Sequence, residues 1–153
     1  MSYLSSKING LIIELGTHHG TGTLALSTNK NNTIISYDIK SVFGLSSTPE
    51  NVELRIGNIL NNTDQLNQLL EAELIFMDTA HEGDFEQSIF DHLKNNNYNK
   101  MLLLDDIFWS HGMIKFWENI DITKYDITDV GHGDPNDTHG PAGNVPGTGL
   151  VDF

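Results

Sequence analysis

Residues 11–22, Leu11-Ile12-Ile13-Glu14-Leu15-Gly16-Thr17-His18-His19-Gly20-Thr21-Gly22, join a short apolar run that ends in an acid to a glycine-rich turn. An apolar run of this length without polar alternation reads as a strand buried on both faces, over residues 11–14. Residues 21–27 beyond the turn read as a helix. Strand, glycine turn and helix together frame a nucleotide-type site, because glycines let a backbone approach a ligand closely and a helix start offers unpaired N–H groups. Glu14 narrows the choice of ligand. A carboxylate at the strand end, two residues before the first glycine, attracts a cationic amino group and repels a pyrophosphate.

Short apolar runs alternate with helical patterns through most of the chain. Residues 33–38, 52–56, 74–78 and 101–105 read as strands two to five, and residues 64–70, 84–93 and 113–119 as helices between or after them. This alternation predicts a Rossmann-like, doubly wound α/β sheet with helices on both faces and right-handed crossovers. The pattern then breaks. Residues 125–132 and 148–153 look like two strands with no helix between them, which predicts a C-terminal antiparallel hairpin at one edge of a mostly parallel, seven-stranded sheet. Residues 133–147, with Pro135, Pro141, Pro146 and His139, read as a long loop, and long loops in compact domains are often functional. The asparagine-rich pieces 29–32 and 95–99 read as loops that reflect coding bias rather than function.

At 153 residues the chain is expected to be one domain, residues 1–153, with a single core. No apolar stretch approaches the roughly 20 residues that cross a membrane, and residues 1–9 lack the apolar segment of a signal peptide. Without cysteine it forms no disulfide and no thiolate metal site, which with the missing signal peptide fits a cytoplasmic protein. The formal net charge of -13 argues against nucleic acid as a partner, since a phosphate backbone is met by a basic surface.

The glycine spacing separates the candidate cofactors. A dinucleotide fingerprint needs G-x-G-x-x-G, which Gly16, Gly20 and Gly22 do not supply, so a nicotinamide-dependent reductase is disfavoured. A phosphate-binding loop needs a lysine after its last glycine, where Thr23 stands. S-adenosylmethionine (SAM) carries the cationic amino group that Glu14 would attract. The plain structural alternative is a tight turn at Gly16 and Gly20 with Asp38 capping a helix. Acids at the ends of two consecutive strands, Glu14 and Asp38, weigh against it.

The chemical signal lies at the ends of strands four and five. Asp78 closes Leu74-Ile75-Phe76-Met77 with His81 three residues later, and Asp105-Asp106 closes Leu102-Leu103-Leu104. In open α/β sheets ligands bind outside the C-terminal strand ends. Three carboxylates there repel one another unless a cation sits among them, and all-oxygen donors suit Mg²⁺ or another hard divalent ion. The bland alternative is that Asp78 and Asp106 cap the following helices.

These features together resemble the class I SAM-dependent methyltransferases over residues 11–153, and within them the metal-dependent small-molecule O-methyltransferases that act on macrolide sugars and, more distantly, on catechol. Glu14-Leu15-Gly16-Thr17 with Gly20 is similar to the first family motif, whose glycines pass under the methionine part of the cofactor. Asp38 matches the acid that holds the ribose hydroxyls. Asn58 stands near where the family places an acid by the adenine. The resemblance implies Asp78, Asp105 and Asp106 as metal ligands, with Asp78 also beside the cofactor, and His81 as the base of the sugar-modifying members.

The expected function is transfer of a methyl group from SAM to a hydroxyl of a small molecule, with a sugar as the leading candidate. The alternative is a non-catalytic SAM-binding module completed by or serving a partner subunit, because only residues 1–10 precede the first strand where related enzymes carry extra helices. A homo-oligomer that completes the pocket is one way to resolve that shortfall. His18 and His19 read as loop residues and His111 as a helix start, while His132 and His139 are minor candidates for the pocket or a metal. Phe108, Trp109, Phe116 and Trp117 read mainly as core.

Overall fold

The computed structural model describes residues 1–40, 47–128 and 146–153. His132, His139, most of the 133–147 loop and the end of the expected 125–132 strand lie outside the described residues. Seven strands take the order β3-β2-β1-β4-β5-β7-β6, with β1 (Leu11–Leu15), β2 (Thr33–Asp38), β3 (Val52–Ile56), β4 (Leu74–Met77), β5 (Met101–Asp105), β6 (Lys124–Asp126) and β7 (Thr148–Asp152). The chain divides into two compact units, Met1–Phe76 and Met77–Phe153.

In the first unit β1 pairs in parallel with β2, and β2 with β3, in a register that sets Leu15 opposite Tyr37 and Asp38 opposite Ile56. Ile12, Ile13 and Leu15 are at most 1% exposed, which is why the run lacks polar alternation. The segment before β1 forms a short helix, α1 (Ser2–Lys7), where the sequence suggested only a lead-in. Polar side chains tie it down: the Ser5 hydroxyl donates to the Leu26 carbonyl at 2.5 Å, and the Asn32 amide donates to the Ser5 carbonyl at 2.9 Å. Asn32 is fully buried and also accepts the Gly10 N–H, so an asparagine read as coding bias is a structural fastener.

α2 (Thr21–Leu26) follows the glycine turn. α3 (Thr63–Gln68) begins at Asn62, whose side-chain oxygen accepts the Asp64 and Gln65 N–H groups, and it gives way to a 3-10 turn at Leu69–Glu71. The expected helix 64–70 therefore splits in two.

In the second unit β7 pairs antiparallel with both β5 and β6, the hairpin that the sequence implied. α4 (Asp84–Asn95) buries Ile89, Phe90 and Leu93 on one face, and α5 (His111–Asn119) buries Met113, Phe116 and Trp117. Phe116 and Trp117 are core residues, as expected. No helix among the described residues is long and apolar enough to cross a membrane.

Candidate active site

In the first unit the turn after β1 is held in a conformation that requires glycine at two points. Gly16 has φ 96° and Gly20 φ 79°, a left-handed region that side chains disfavour. The Gly16 N–H donates to the Tyr37 carbonyl at 2.8 Å and the Gly20 N–H to the Thr17 carbonyl at 2.7 Å, which closes the loop. Thr17 is buried, its hydroxyl 2.6 Å from the Ser36 hydroxyl. Asp38 completes the turn from the end of β2, where Oδ2 accepts the His18 N–H at 2.8 Å and Oδ1 the Lys40 N–H at 3.0 Å. Each oxygen keeps a second lone pair for a hydroxyl ligand.

Glu14 is the fourth residue of β1. It is 1% exposed, and its Oε2 accepts hydrogen bonds from the Thr23 hydroxyl and, at 2.5 Å, from the Ser36 hydroxyl. The carboxylate points into the unit and braces the glycine turn from beneath. Thr23 and Ser36 make the burial tolerable, since a buried carboxylate needs hydrogen-bond donors. Asn58 is exposed and spends its side-chain oxygen on the Leu60 N–H at 3.0 Å. Beside Asp38 the surface turns apolar: Ile39 and Ile56 are 68% and 66% exposed, and a β-carbon at Gly57 would meet nothing.

The second unit brings Asp78, His81, Asp105 and Asp106 together. His81 Nε2 stands 3.2 Å from Asp78 Oδ1 and 3.4 Å from Asp106 Oδ2, with the imidazole largely buried. Burial is the largest influence on that ring and favours its neutral form, but the Asp78 hydrogen bond and the Asp106, Asp78 and Glu86 charges together outweigh it. The His81 pKa therefore lies above the ordinary histidine value. Asp105 is pushed up to about 6, first by burial and then by the charges of Asp78 and Asp106. A hydrogen bond from the Asp106 backbone partly offsets that rise, and the Thr148 hydroxyl lies a long 3.5 Å from Oδ1.

Neither Asp78 nor Asp106 caps a helix, because the residues at the N-cap of α4 and α5 are Gly83 and Ser110. The capping alternative is removed. The arrangement also differs from a preformed three-carboxylate metal cage. Among the described residues no group of three or more His, Asp or Glu side chains is arranged to hold a metal ion, and the His81 imidazole itself lies against two of the expected ligands.

Sequence reading missed two residues of this site. Glu86, in the first turn of α4, is 1% exposed and accepts hydrogen bonds from the Thr79 hydroxyl and from the His81 and Gly83 N–H groups. Ser110 donates to the His81 carbonyl at 2.6 Å. An acid three residues into an amphipathic helix signals a capping box, which hints at Glu86 but not at its burial. Trp109, read as core, lies beside His81, the two ring centroids 6.2 Å apart. His18 and His19 are exposed on the glycine turn, and His111 is exposed at the start of α5.

No protein-family model and no curated protein matches the chain. Solved structures do. An S-adenosyl-L-methionine methyl transferase from Silicibacter pomeroyi aligns over 99% of this chain and 85% of its own, with TM-score 0.58 and 16% identity. The chain has the class I methyltransferase fold. A spermidine synthase from Thermotoga maritima shares that fold over 99% of this chain and 55% of its own, at TM-score 0.56 and 15% identity. CmcI with Mg and SAM does so over 94% and 64%, at TM-score 0.53 and 13% identity. The chain thus spans less than two thirds of the latter two. In this chain the shared fold is a mixed seven-stranded, Rossmann-like sheet ending in an antiparallel hairpin. Because a synthase and methyltransferases share it, the reaction has to be argued from side chains.

Proposed function

We propose that this protein transfers a methyl group from SAM to a hydroxyl of a small molecule, with a sugar as the favoured acceptor and His81 as the base. The observation that carries the reading is the placement of His81 Nε2 within 3.4 Å of both Asp78 and Asp106, on a chain with the class I fold. In the first unit the glycine turn 16–20 would lie under the methionine part of SAM, Asp38 would accept the ribose hydroxyls, and Asn58 with the exposed Ile39 and Ile56 would flank the adenine. Glu14 acts from below by fixing the turn. The cell compartment that fits a cysteine-free chain is the cytoplasm.

The sulfonium already makes its methyl group a strong electrophile, so the protein has to align the partners and activate the hydroxyl. As the acceptor oxygen bonds to the methyl carbon, the carbon–sulfur bond breaks and S-adenosylhomocysteine leaves. The hydroxyl proton passes to the imidazole. Nε2 already carries the ring's own proton, directed at Asp78 Oδ1 and Asp106 Oδ2, so the incoming proton goes to Nδ1 and the two carboxylates stabilise the imidazolium that forms.

A second reading adds a divalent ion at Asp78, Asp105 and Asp106. Asp105 is raised by burial and then by the charges of Asp78 and Asp106, which a cation would relieve, and the all-oxygen donor set also favours the ion. His81 would have to withdraw from the carboxylates to admit the ion. When bound, Mg²⁺ would lower the pKa of a coordinated hydroxyl. The non-catalytic binding module is the remaining alternative. The deciding experiment incubates the purified protein with methyl-labelled SAM, with and without Mg²⁺, and a panel of sugars and phenols. Labelled product dependent on His81 supports the proposal. Tight binding of SAM with no transfer to any acceptor favours the binding module, and no SAM binding removes the reading.

A further inference from the structure

We propose that Glu86 is a positioning residue, which with Ser110 grips the His81 backbone from both sides and thereby aims the imidazole at Asp78 and Asp106. This inference rests on His81 as the base in the proposed function, but its decisive readout does not need turnover. His81 has φ 55°, a left-handed conformation that is sterically disfavoured for a side-chain-bearing residue and persists only where the surroundings impose it. The surroundings can be named. On the N–H side, Glu86 Oε1 accepts the His81 N–H at 3.2 Å and the Thr79 hydroxyl, while Oε2 accepts the Gly83 N–H at 2.9 Å. One buried carboxylate therefore fastens residues 79, 81 and 83, both flanks of the base as well as the base itself.

On the carbonyl side, the Ser110 hydroxyl donates to the His81 oxygen at 2.6 Å and accepts the Met113 N–H at 3.1 Å, so it is held in turn by α5. The two helices meet there backbone to backbone. A β-carbon on Gly112 would overlap the Glu82 carbonyl, and one on Gly83 would lie 2.5 Å from the Gly112 oxygen. Asp106, the other carboxylate at the imidazole, also has φ 55°, so both partners of that contact are held in left-handed geometry.

The chemistry of the clamp requires a carboxylate. Three donors converge on two acceptor oxygens, and glutamine keeps only one of those oxygens, setting its NH₂ against a donor at the other. Glu86→Gln should therefore release either Gly83 or the Thr79–His81 pair without emptying the space. Ser110→Ala removes the opposite grip, and Ser110→Thr restores a hydroxyl.

The test compares the nuclear Overhauser contacts between the His81 imidazole and Trp109 indole protons, whose rings are 6.2 Å apart, in the full-length protein. Expected are loss of at least about half of that contact in Glu86→Gln and in Ser110→Ala, recovery in Ser110→Thr, and no change in Glu118→Gln, an exposed acid on α5. With an accepted substrate, both disruptive variants should lower kcat by about tenfold to a hundredfold while SAM Kd stays within about twofold. Their combination should cost less than the product of the two, since both hold one peptide. If Glu86→Gln does not fold, the Ser110 pair carries the test. Unchanged ring contacts in the folded variants overturn the clamp even if methyl transfer is confirmed. Lost contacts in a protein that transfers no methyl group uphold the clamp and fault the proposed reaction instead.

Discussion

Gly22 and Glu14 occupy the same space: a β-carbon at position 22 would overlap Glu14 Oε1 and lie 3.1 Å from the Phe76 ring. The missing side chain lets a buried carboxylate sit under the start of α2, where Thr23 and Ser36 donate to it. Gly22→Ala should therefore destabilise the protein by about 1–3 kcal/mol through overpacking, with Tm falling about 2–4 °C per kcal/mol. A thermal melt checks this. A variant as stable as wild type would show that Glu14 has room to move.

Asp38 makes two backbone hydrogen bonds and is the expected ribose partner. Asp38→Ala should weaken SAM and S-adenosylhomocysteine binding by at least about tenfold, because losing hydrogen bonds to a charged group costs roughly 1.5–3 kcal/mol. Calorimetry against both ligands measures it, and equal affinity in the variant would place the ribose elsewhere.

His81→Ala should lower kcat by on the order of 10²–10⁴ with SAM affinity nearly unchanged. Because the carboxylates raise the His81 pKa against the effect of burial, the wild-type rate should climb with pH as the ring loses its proton. The midpoint should fall above the ordinary value of about 6.5. A flat profile, or full turnover by the alanine variant, would point to another group, with His111 the next to test.

Asp105 gives a stability prediction with a definite sign. Its folded-state pKa of about 6 exceeds the ordinary 3.8, so the folded state binds the proton more tightly. That contribution is fully present below the ordinary value and is lost as pH rises through about 6. Asp105→Asn should accordingly raise Tm at neutral pH and flatten the decline between those two values. Melts across the interval decide it; a lower Tm for the variant at neutral pH would mean that the charge is compensated.

A divalent ion at Asp78, Asp105 and Asp106 predicts that EDTA abolishes transfer, that Mg²⁺ restores it, and that Asp106→Asn removes the response. Saturating Mg²⁺ at about 100 times its Kd should also stabilise the fold by about 2.7 kcal/mol. Turnover untouched by EDTA would leave proton transfer to His81 alone.

Local pattern was enough to place β2, β3 and β5 at their observed bounds, since short apolar-rich stretches, alternating with charge in β3 and nearly continuous in β5, have few other uses between turn residues. It also put Glu14, Gly16, Gly20 and Asp38 around one turn, and Asp78, His81, Asp105 and Asp106 at neighbouring strand ends, because strand ends and glycines are marked within a few residues of sequence. Tertiary structure decided what those groups face. Glu14 turns inward because Thr23 and Ser36 donate to it and Gly22 leaves it room. Glu86 looked like an ordinary acid of a helix's first turn, and only the fold of residues 79–83 back over α4 buries it against the loop that carries His81. Hydrogen bonding and burial depend on partners distant in sequence or turned by a backbone angle, and neither is encoded in the spacing of residues along the chain.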